Sequence, residues 1–157
     1  MIYLKTEDEI GLLRESGQIV AKALGEVAHY IKPGVSTKQL DKIAEETIRS
    51  FGAVPSFLNY NGFPGTLCTS VNEQIVHGFP SDKVFLEDGD IISVDCGACK
   101  NGFHGDSAYT FMVGDVREEV VNLLKTTKES LYKGIEQAVE GKRIGDIGNA
   151  VQEYCQR

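Results

Sequence analysis

Apolar residues follow a helical period through the first third of the chain. They recur at helical spacing in two series: Ile10, Leu13, Val20, Leu24, Val27 and Ile31, and then Leu40, Ile43, Ala44 and Ile48. Each series begins with a capping box, in which a hydroxyl caps the helix and the residue three positions on returns a hydrogen bond. The two boxes are Thr6 with Glu9 and Ser36 with Gln39. The pattern predicts two amphipathic helices, which end at Lys32–Gly34 and at Gly52.

The pattern becomes extended between Val54 and Val113. Four short apolar runs occur there: Leu67–Val71, Ile75–Val76, Ile91–Val94 and Ala108–Val113. Turn signals separate them, namely Asn61-Gly62, Asp88-Gly89 and Asn101-Gly102. Helical spacing returns from Val120 to Val139, and a last helix is predicted from about Ile144. Helices, then strands, then helices indicate an α+β fold.

The second pair of helices resembles the first in sequence. Ala138–Gly141 and the apolar positions after it match Ile31–Gly34 and its following positions at a constant offset. No glycine, asparagine or proline stop follows the last helix, so we expect a chain that is cut within a second copy. This predicts a single domain over residues 1–157, with a first pseudo-repeat in residues 1–114 and the start of a second in residues 115–157.

Composition and charge narrow the class of protein. The 157 residues are 41% hydrophobic and 25% charged, as in a globular domain, and carry a net charge of −7. An acidic chain lacks the basic patches by which proteins bind nucleic acid or anionic membranes, and no apolar run reaches the length of a membrane span. We expect neither nucleic acid nor membrane as a direct partner. The four cysteines have no disulfide-framework spacing, so we expect reduced thiols and a cytoplasmic protein.

Two aspartates lie in the predicted hairpin "IISVDCGACKNGFHGDSAYTF". An Asn-Gly turn at Asn101-Gly102 places Asp95 opposite Ala108, and Asp106 opposite Gly97. Because side chains alternate along a strand, both carboxylates then project to the same face as diagonal neighbours. Glycine at position 97 removes a side chain that would crowd the pair.

Two neighbouring carboxylates repel each other unless something neutralises them. At about 7 Å and an effective dielectric near 20 the repulsion is roughly 2 kcal/mol. Lys100, at the exposed turn, is the only basic side chain in residues 85–116 apart from His104. A divalent cation held by oxygen ligands is the economical solution. The plainer alternative is that one aspartate caps a turn while the other faces solvent.

Two further patterns have structural explanations. Cys96 and Cys99 have CxxC spacing, but on a strand they point to opposite faces and cannot share a metal or a disulfide. His77, among apolar neighbours, would by itself be typical of a structural histidine.

The segment "VDCGACKNGFHGDSAYTF" resembles the metal-ligand hairpin of the type I methionine aminopeptidases. "KPGVSTKQLD", "NYNGFPGTLCTSVNEQIVHGFP" and "LEDGDIISVD" also match that family in order and spacing, so the resemblance extends from Lys5 to the end of the chain. It implies a pita-bread fold, of which this chain would hold the first helix–strand half and the opening helices of the second half. It also implies two divalent metal ions (Co, Mn, Fe or Zn).

The resemblance also implies roles for individual residues. Asp95 and Asp106 match metal ligands. His77 matches a catalytic histidine that contacts the substrate beside the scissile peptide bond. Four residues match positions of the methionine pocket: Phe57, Tyr60, Phe63 and Cys68. Asn72 lies where family members bind a monovalent cation through backbone oxygens.

The expected activity is removal of the N-terminal methionine from nascent proteins and peptides. The family's metal site needs a further histidine and two glutamates, which do not occur at the matching motifs within residues 1–157, so we expect this chain to be inactive alone. The resemblance further implies a monomer that acts on nascent-chain N-termini, with association with the ribosome as a further expectation. The alternatives are a proline-directed peptidase of the same fold and a non-catalytic pita-bread binding module.

Overall fold

The computed structural model describes residues 3–156. The expectation that no stop signal follows the last helix lies in part outside these residues. Within this range the order of elements is α1 (Glu7–Tyr30), α2 (Thr37–Ser50), β1 (Val54–Pro55), a 3₁₀ turn (Tyr60–Gly62), β2 (Leu67–Val71), β3 (Ile91–Lys100), β4 (Phe103–Met112), α3 (Glu118–Ile135) and α4 (Ile144–Cys155). The predicted α+β composition is therefore confirmed. None of these helices is long and apolar enough to cross a membrane.

Both predicted capping boxes are present. The Thr6 side chain accepts a hydrogen bond from the Glu9 N–H at 3.3 Å, and the Thr6 N–H donates to the Glu9 carboxylate at 2.8 Å. Ser36 and Gln39 repeat this exchange at the start of α2. These contacts satisfy backbone donors that an isolated helix leaves free, which explains why both helices begin where the sequence predicts.

The antiparallel sheet is built around β3. Its whole length pairs with β4 on one edge, whereas β2 and the short β1 pair with different stretches of the other edge. Every second residue of β3 is buried in one hydrophobic core with the inner faces of α1 and α2: Ile92, Val94, Cys96 and Ala98. The helices therefore cover one face of the sheet, and the odd-numbered residues of β3 project to the other.

Buried Asp41 fixes the entry into β2. From α2 its carboxylate accepts hydrogen bonds from the N–H groups of Thr66 and Leu67 at 2.7 and 2.9 Å, and it pairs with Lys38 at 2.7 Å. A buried carboxylate requires such partners, since leaving it without them is costly. The contact sets the position at which β2 begins.

The chain divides into two compact units, with the boundary between Asp115 and Val116. In the second unit α3 and α4 approach closely at Gly134, where a Cβ atom would lie 3.0 Å from Val151 Cγ2. Tyr154 on α4 donates a hydrogen bond to Glu129 on α3. The relation of the two units as pseudo-repeats remains a prediction.

The expected strand at Ile75–Val76 is wrong. Ile75 is 87% exposed, and Val76 has a left-handed backbone conformation with φ of 44°. Apolar side chains with no buried face cannot stabilise a strand, so this stretch forms an irregular connection.

Candidate metal and peptide site

Asp95 and Asp106 lie on the face of the sheet opposite the helices. The β3–β4 register places Asp95 opposite Ala108 and Asp106 opposite Gly97, as predicted. Asn101 and Gly102 form the turn with φ values of 53° and 81°, the conformation that an Asn-Gly hairpin turn requires. We call these two carboxylates the acidic pair.

The surroundings of Asp95 oppose its ionisation. Burial raises the pKa of Asp95, and the charge of Asp106 and a hydrogen bond to its carboxylate raise that pKa further. The nearby His77 and the Cys96 N–H act in the opposite direction. Lys100, the nearest lysine in the sequence, instead pairs with Glu15 at 2.8 Å. The ion pairs found among residues 3–156 all involve other carboxylates.

The chemistry of this donor set fits divalent cations. Two close carboxylates with no lysine or arginine paired to them supply oxygen ligands and negative charge, which such ions neutralise. Within the described residues, however, no group of three or more histidine, cysteine, aspartate or glutamate side chains is arranged to hold a metal. The acidic pair is therefore a partial metal site.

Cys68 lies beside the acidic pair as a neutral thiol. It is opposite Asp95 in the β2–β3 register and only 6% exposed. Burial raises the pKa of this thiol to about 11, with further contributions from Asp95 and Asp106, while a backbone hydrogen bond of His77 lowers it. A protonated sulfur at neutral pH is a poor metal ligand but a suitable wall for an apolar side chain.

The CxxC pattern does not form a second site. Cys96 lies within the hydrophobic core, where burial raises its pKa to about 12. Cys99 lies three positions further along the same strand and so projects to the other face. All four cysteines are free, in agreement with the sequence-based interpretation of this motif.

His77 lies close enough to Asp95 for its charge to lower the pKa of that carboxyl. Its side chain is exposed, and its backbone is left-handed, with φ of 57°. The structure thus brings together His77, Cys68 and the acidic pair, although they belong to three separate stretches of the sequence.

Phe57 occupies the space that Gly97 leaves open. A Cβ atom at position 97 would lie 2.6 Å from Phe57 Cε1 and 2.9 Å from Ser56 Cβ. Glycine at position 97 therefore admits the Phe57 ring rather than leaving free room beside Asp106, which corrects the simpler expectation. The Ser56 N–H donates to the Gly97 carbonyl oxygen at 2.9 Å, and Ser56 Oγ hydrogen-bonds His104 Nδ1 at 2.9 Å. No local pattern indicates a role for Ser56, because its partners lie far along the chain.

The remaining predicted pocket residues lie in the connection before β2. Phe63 packs edge-to-face against Phe79, with ring centroids 5.3 Å apart. No pattern in the sequence indicates a role for Phe79, although it stands two positions after His77. Tyr60 begins the 3₁₀ turn and is 70% exposed, so its place in a pocket stays a prediction.

Asn72 uses its side chain within the fold. Its amide donates to Asp90 Oδ1 at 2.8 Å, and its oxygen accepts the Ile91 N–H at 3.0 Å. A cation here would have to bind backbone oxygens, so the predicted monovalent site is left as a prediction.

Comparison with known proteins identifies the family. Residues 11–157 match metallopeptidase family M24. The chain belongs to this family. As an M24 protein, it is 53% identical over 156 residues to methionine aminopeptidase 1 of Bacillus subtilis (strain 168), covering 99% of this chain and 62% of that protein. The chain thus spans about three fifths of the length of this relative.

Solved structures place the M24 chain in the pita-bread fold. The methionine aminopeptidase of Rickettsia prowazekii matches with a TM-score of 0.97 and 37% identity, covering 99% of this chain and 62% of the other. Prolidase from Pyrococcus furiosus matches with a TM-score of 0.87 and 23% identity, covering 98% of this chain and 44% of the other. At that identity the second likeness shows the fold alone.

Proposed function

We propose that residues 1–157 supply the acidic pair and part of the substrate pocket of a metal-dependent aminopeptidase that removes N-terminal methionine. The observation that carries the proposal is the acidic pair itself, two carboxylates on one sheet face that take part in none of the lysine and arginine ion pairs found among the described residues. The similarity to methionine aminopeptidases over 99% of the chain supports this assignment.

Asp95 and Asp106 would hold divalent ions through their carboxylate oxygens. Such ions, when bound, supply a hydroxide nucleophile at neutral pH and polarise the scissile carbonyl. Cobalt, manganese, iron and zinc all suit the site, because metal availability rather than ligand type separates them. A monovalent cation near Asn72 is part of the same proposal.

His77 would bind the peptide beside the scissile bond. Its exposed imidazole next to the acidic pair can donate a hydrogen bond to the substrate and stabilise charge that develops there. Cys68 and Phe63 supply apolar surface with sulfur and aromatic character, which suits the flexible thioether of methionine. Phe57, packed over Gly97, limits the size of this pocket, and Tyr60 would complete its wall.

The proposed substrate is the N-terminus of a nascent chain or peptide with a small second residue. A cytoplasmic location is part of this proposal, and the four free cysteines support it. Association with the ribosome and a monomeric state are included in this proposal.

Proline-directed peptidases are the competing enzyme class, because they share the fold. An assay in which Met-Ala and Ala-Pro substrates compete separates the two functions. It uses the natural protein, which here means the protein as purified from its source. We expect release of methionine and no cleavage before proline. Preferential cleavage of Ala-Pro would overturn the proposal, and cleavage of neither in the presence of Mn²⁺ or Co²⁺ would favour a non-catalytic binding module.

Residues 1–157 would be inactive by themselves. Two carboxylates make an open, weak metal site, and the described residues contain no third ligand beside them. We expect the purified 157-residue chain to release no methionine from Met-Gly-Met at any concentration of Mn²⁺ or Co²⁺. Methionine release that depends on Asp95 would contradict this expectation.

A further inference from the structure

Two successive residues beside the acidic pair have an unfavourable backbone conformation. Val76 and His77 have φ values of 44° and 57°. A left-handed conformation is rare for residues other than glycine and is least favourable for a β-branched residue such as valine. Strain of this kind costs about 1–3 kcal/mol per residue, and it persists only where surrounding contacts enforce it.

Strand β2 provides those contacts through consecutive residues. The Thr69 N–H donates to the Gly78 carbonyl oxygen at 2.8 Å, and the Gly78 N–H donates to Ser70 Oγ at 3.2 Å. One position earlier, the backbone of His77 lies close enough to Cys68 to lower the pKa of its thiol. Cys68 also lies opposite Asp95 in the sheet. Residues 68–70 of β2 therefore set the position of His77 relative to the acidic pair.

Gly78 is required for this approach. A Cβ atom at position 78 would lie 2.1 Å from the Thr69 carbonyl oxygen and 3.1 Å from Ser70 Cα. These are backbone atoms of a paired strand, which cannot move aside as a flexible side chain can. Any other residue at position 78 would therefore displace the segment that carries His77.

We propose that Ser70 and Gly78 are positioning residues for His77, which hold its strained backbone against β2 and so fix the imidazole beside the acidic pair. Ser70 is buried, with only 3% of its surface exposed, so it acts through the Gly78 N–H rather than by contact with substrate. Holding a catalytic group in place before substrate arrives lowers the reorganisation needed to reach the transition state. The enzymatic part of this inference rests on the proposed function.

The experiment compares Ser70→Ala with Thr66→Val in the natural protein. Thr66 Oγ1 is buried and has no hydrogen-bond partner among the described residues, so its removal controls for loss of a buried hydroxyl. Ser70→Thr, which keeps the oxygen, is the rescue variant, and Gly78→Ala displaces the segment by steric contact. Two quantities are measured in each: the HN–Hα coupling and relaxation dispersion of His77 without metal, and kcat and KM for Met-Gly-Met with Mn²⁺.

In Ser70→Ala we expect exchange broadening at His77 and a fall in kcat of about fivefold, the effect of one neutral hydrogen bond, with KM little changed. Gly78→Ala should lose more, Ser70→Thr should recover, and Thr66→Val should match the wild type. The proposal is overturned if Ser70→Ala matches Thr66→Val, or if His77 loosens while kcat is unchanged. If the wild type releases no methionine, the proposed function fails, and the His77 coupling and dispersion alone then decide the positioning claim.

Discussion

Asp95 and Asp106 are held close together by a sheet whose register leaves no freedom to separate them. Like charges on one face lower the stability of the metal-free fold. Asp95→Asn removes this repulsion, so we expect it to raise the free energy of unfolding of the metal-free protein. The gain should be only about 1 kcal/mol, because screening by solvent weakens the repulsion. The substituted amide can also donate a hydrogen bond to Asp106.

Thermal unfolding in the presence of EDTA measures this effect. Asp82→Asn makes the same change of charge in the loop after Pro80 and should leave the melting temperature near that of the wild type. A melting temperature that falls in Asp95→Asn would show that Asp95 stabilises the apo fold, contrary to the proposed metal site.

Gly97 is a position beside the acidic pair at which contact with Phe57 excludes a larger side chain. In Gly97→Ala the new methyl group would meet the Phe57 ring at 2.6 Å. We expect overpacking to lower the free energy of unfolding by about 1–3 kcal/mol. Urea denaturation measures this loss, and the double variant with Phe57→Leu should regain part of it.

Gly11→Ala is the matched control for this substitution. Gly11 lies in α1, and a Cβ atom there has no neighbour within 4 Å among the described atoms. Alanine at that position should stabilise the protein by about 0.5–1 kcal/mol. Equal effects of the two substitutions would contradict the assigned contact between Phe57 and Gly97.

The acidic pair could be predicted from the sequence, whereas the contact between Phe57 and Gly97 could not. The acidic pair is set by an Asn-Gly turn and by strand alternation, both of which are local rules. Phe57 reaches Gly97 through the β1–β3 pairing, a contact between distant parts of the chain that no local rule indicates.

At the scale of elements, the capping box of α1 makes a pH-dependent contribution to stability. The Thr6 N–H lowers the pKa of Glu9, so the ionised carboxylate favours the folded state. This contribution is present above the unfolded pKa of Glu9 and is lost as pH falls through the lower native pKa.

We therefore expect Glu9→Gln to make the acid-side loss of stability shallower. Glutamine can still complete the capping box, but it does not titrate. The measurement is the free energy of unfolding between pH 7 and pH 3. Glu26→Gln, in the C-terminal part of α1, should keep the wild-type profile. An unchanged profile in Glu9→Gln would show that the contact between Glu9 and Thr6 does not contribute to stability.

Element boundaries were predictable where chemistry is local and unpredictable where the fold imposes conformation. Thr6 and Ser36 fixed the helix starts because their capping partners lie three residues away. The strand predicted at Ile75–Val76 is wrong because Thr69 and Ser70, on a different element, hold the following Gly78, and Val76 takes a backbone conformation that valine disfavours.

At the scale of the whole molecule, the 157 residues carry one acidic pair and belong to a metallopeptidase family, yet span 62% of the length of their Bacillus subtilis relative. The family could be recognised from the sequence because the motifs around His77 and Asp106 are long and ordered. The full ligand set could not be derived from these residues, since within the described range a third ligand is lacking.

Calorimetric titration of Mn²⁺ into the natural protein tests the central claim most directly. We compare the wild type with Asp106→Asn and with Asp82→Asn, which removes an equal charge outside the hairpin. Loss of a ligand should weaken Mn²⁺ binding by more than about a hundredfold in Asp106→Asn, since even changes to groups that only orient ligands cost about 10- to 100-fold. The wild type and Asp82→Asn should bind alike. Equal Mn²⁺ affinity in all three proteins would contradict the assignment of the acidic pair as metal ligands.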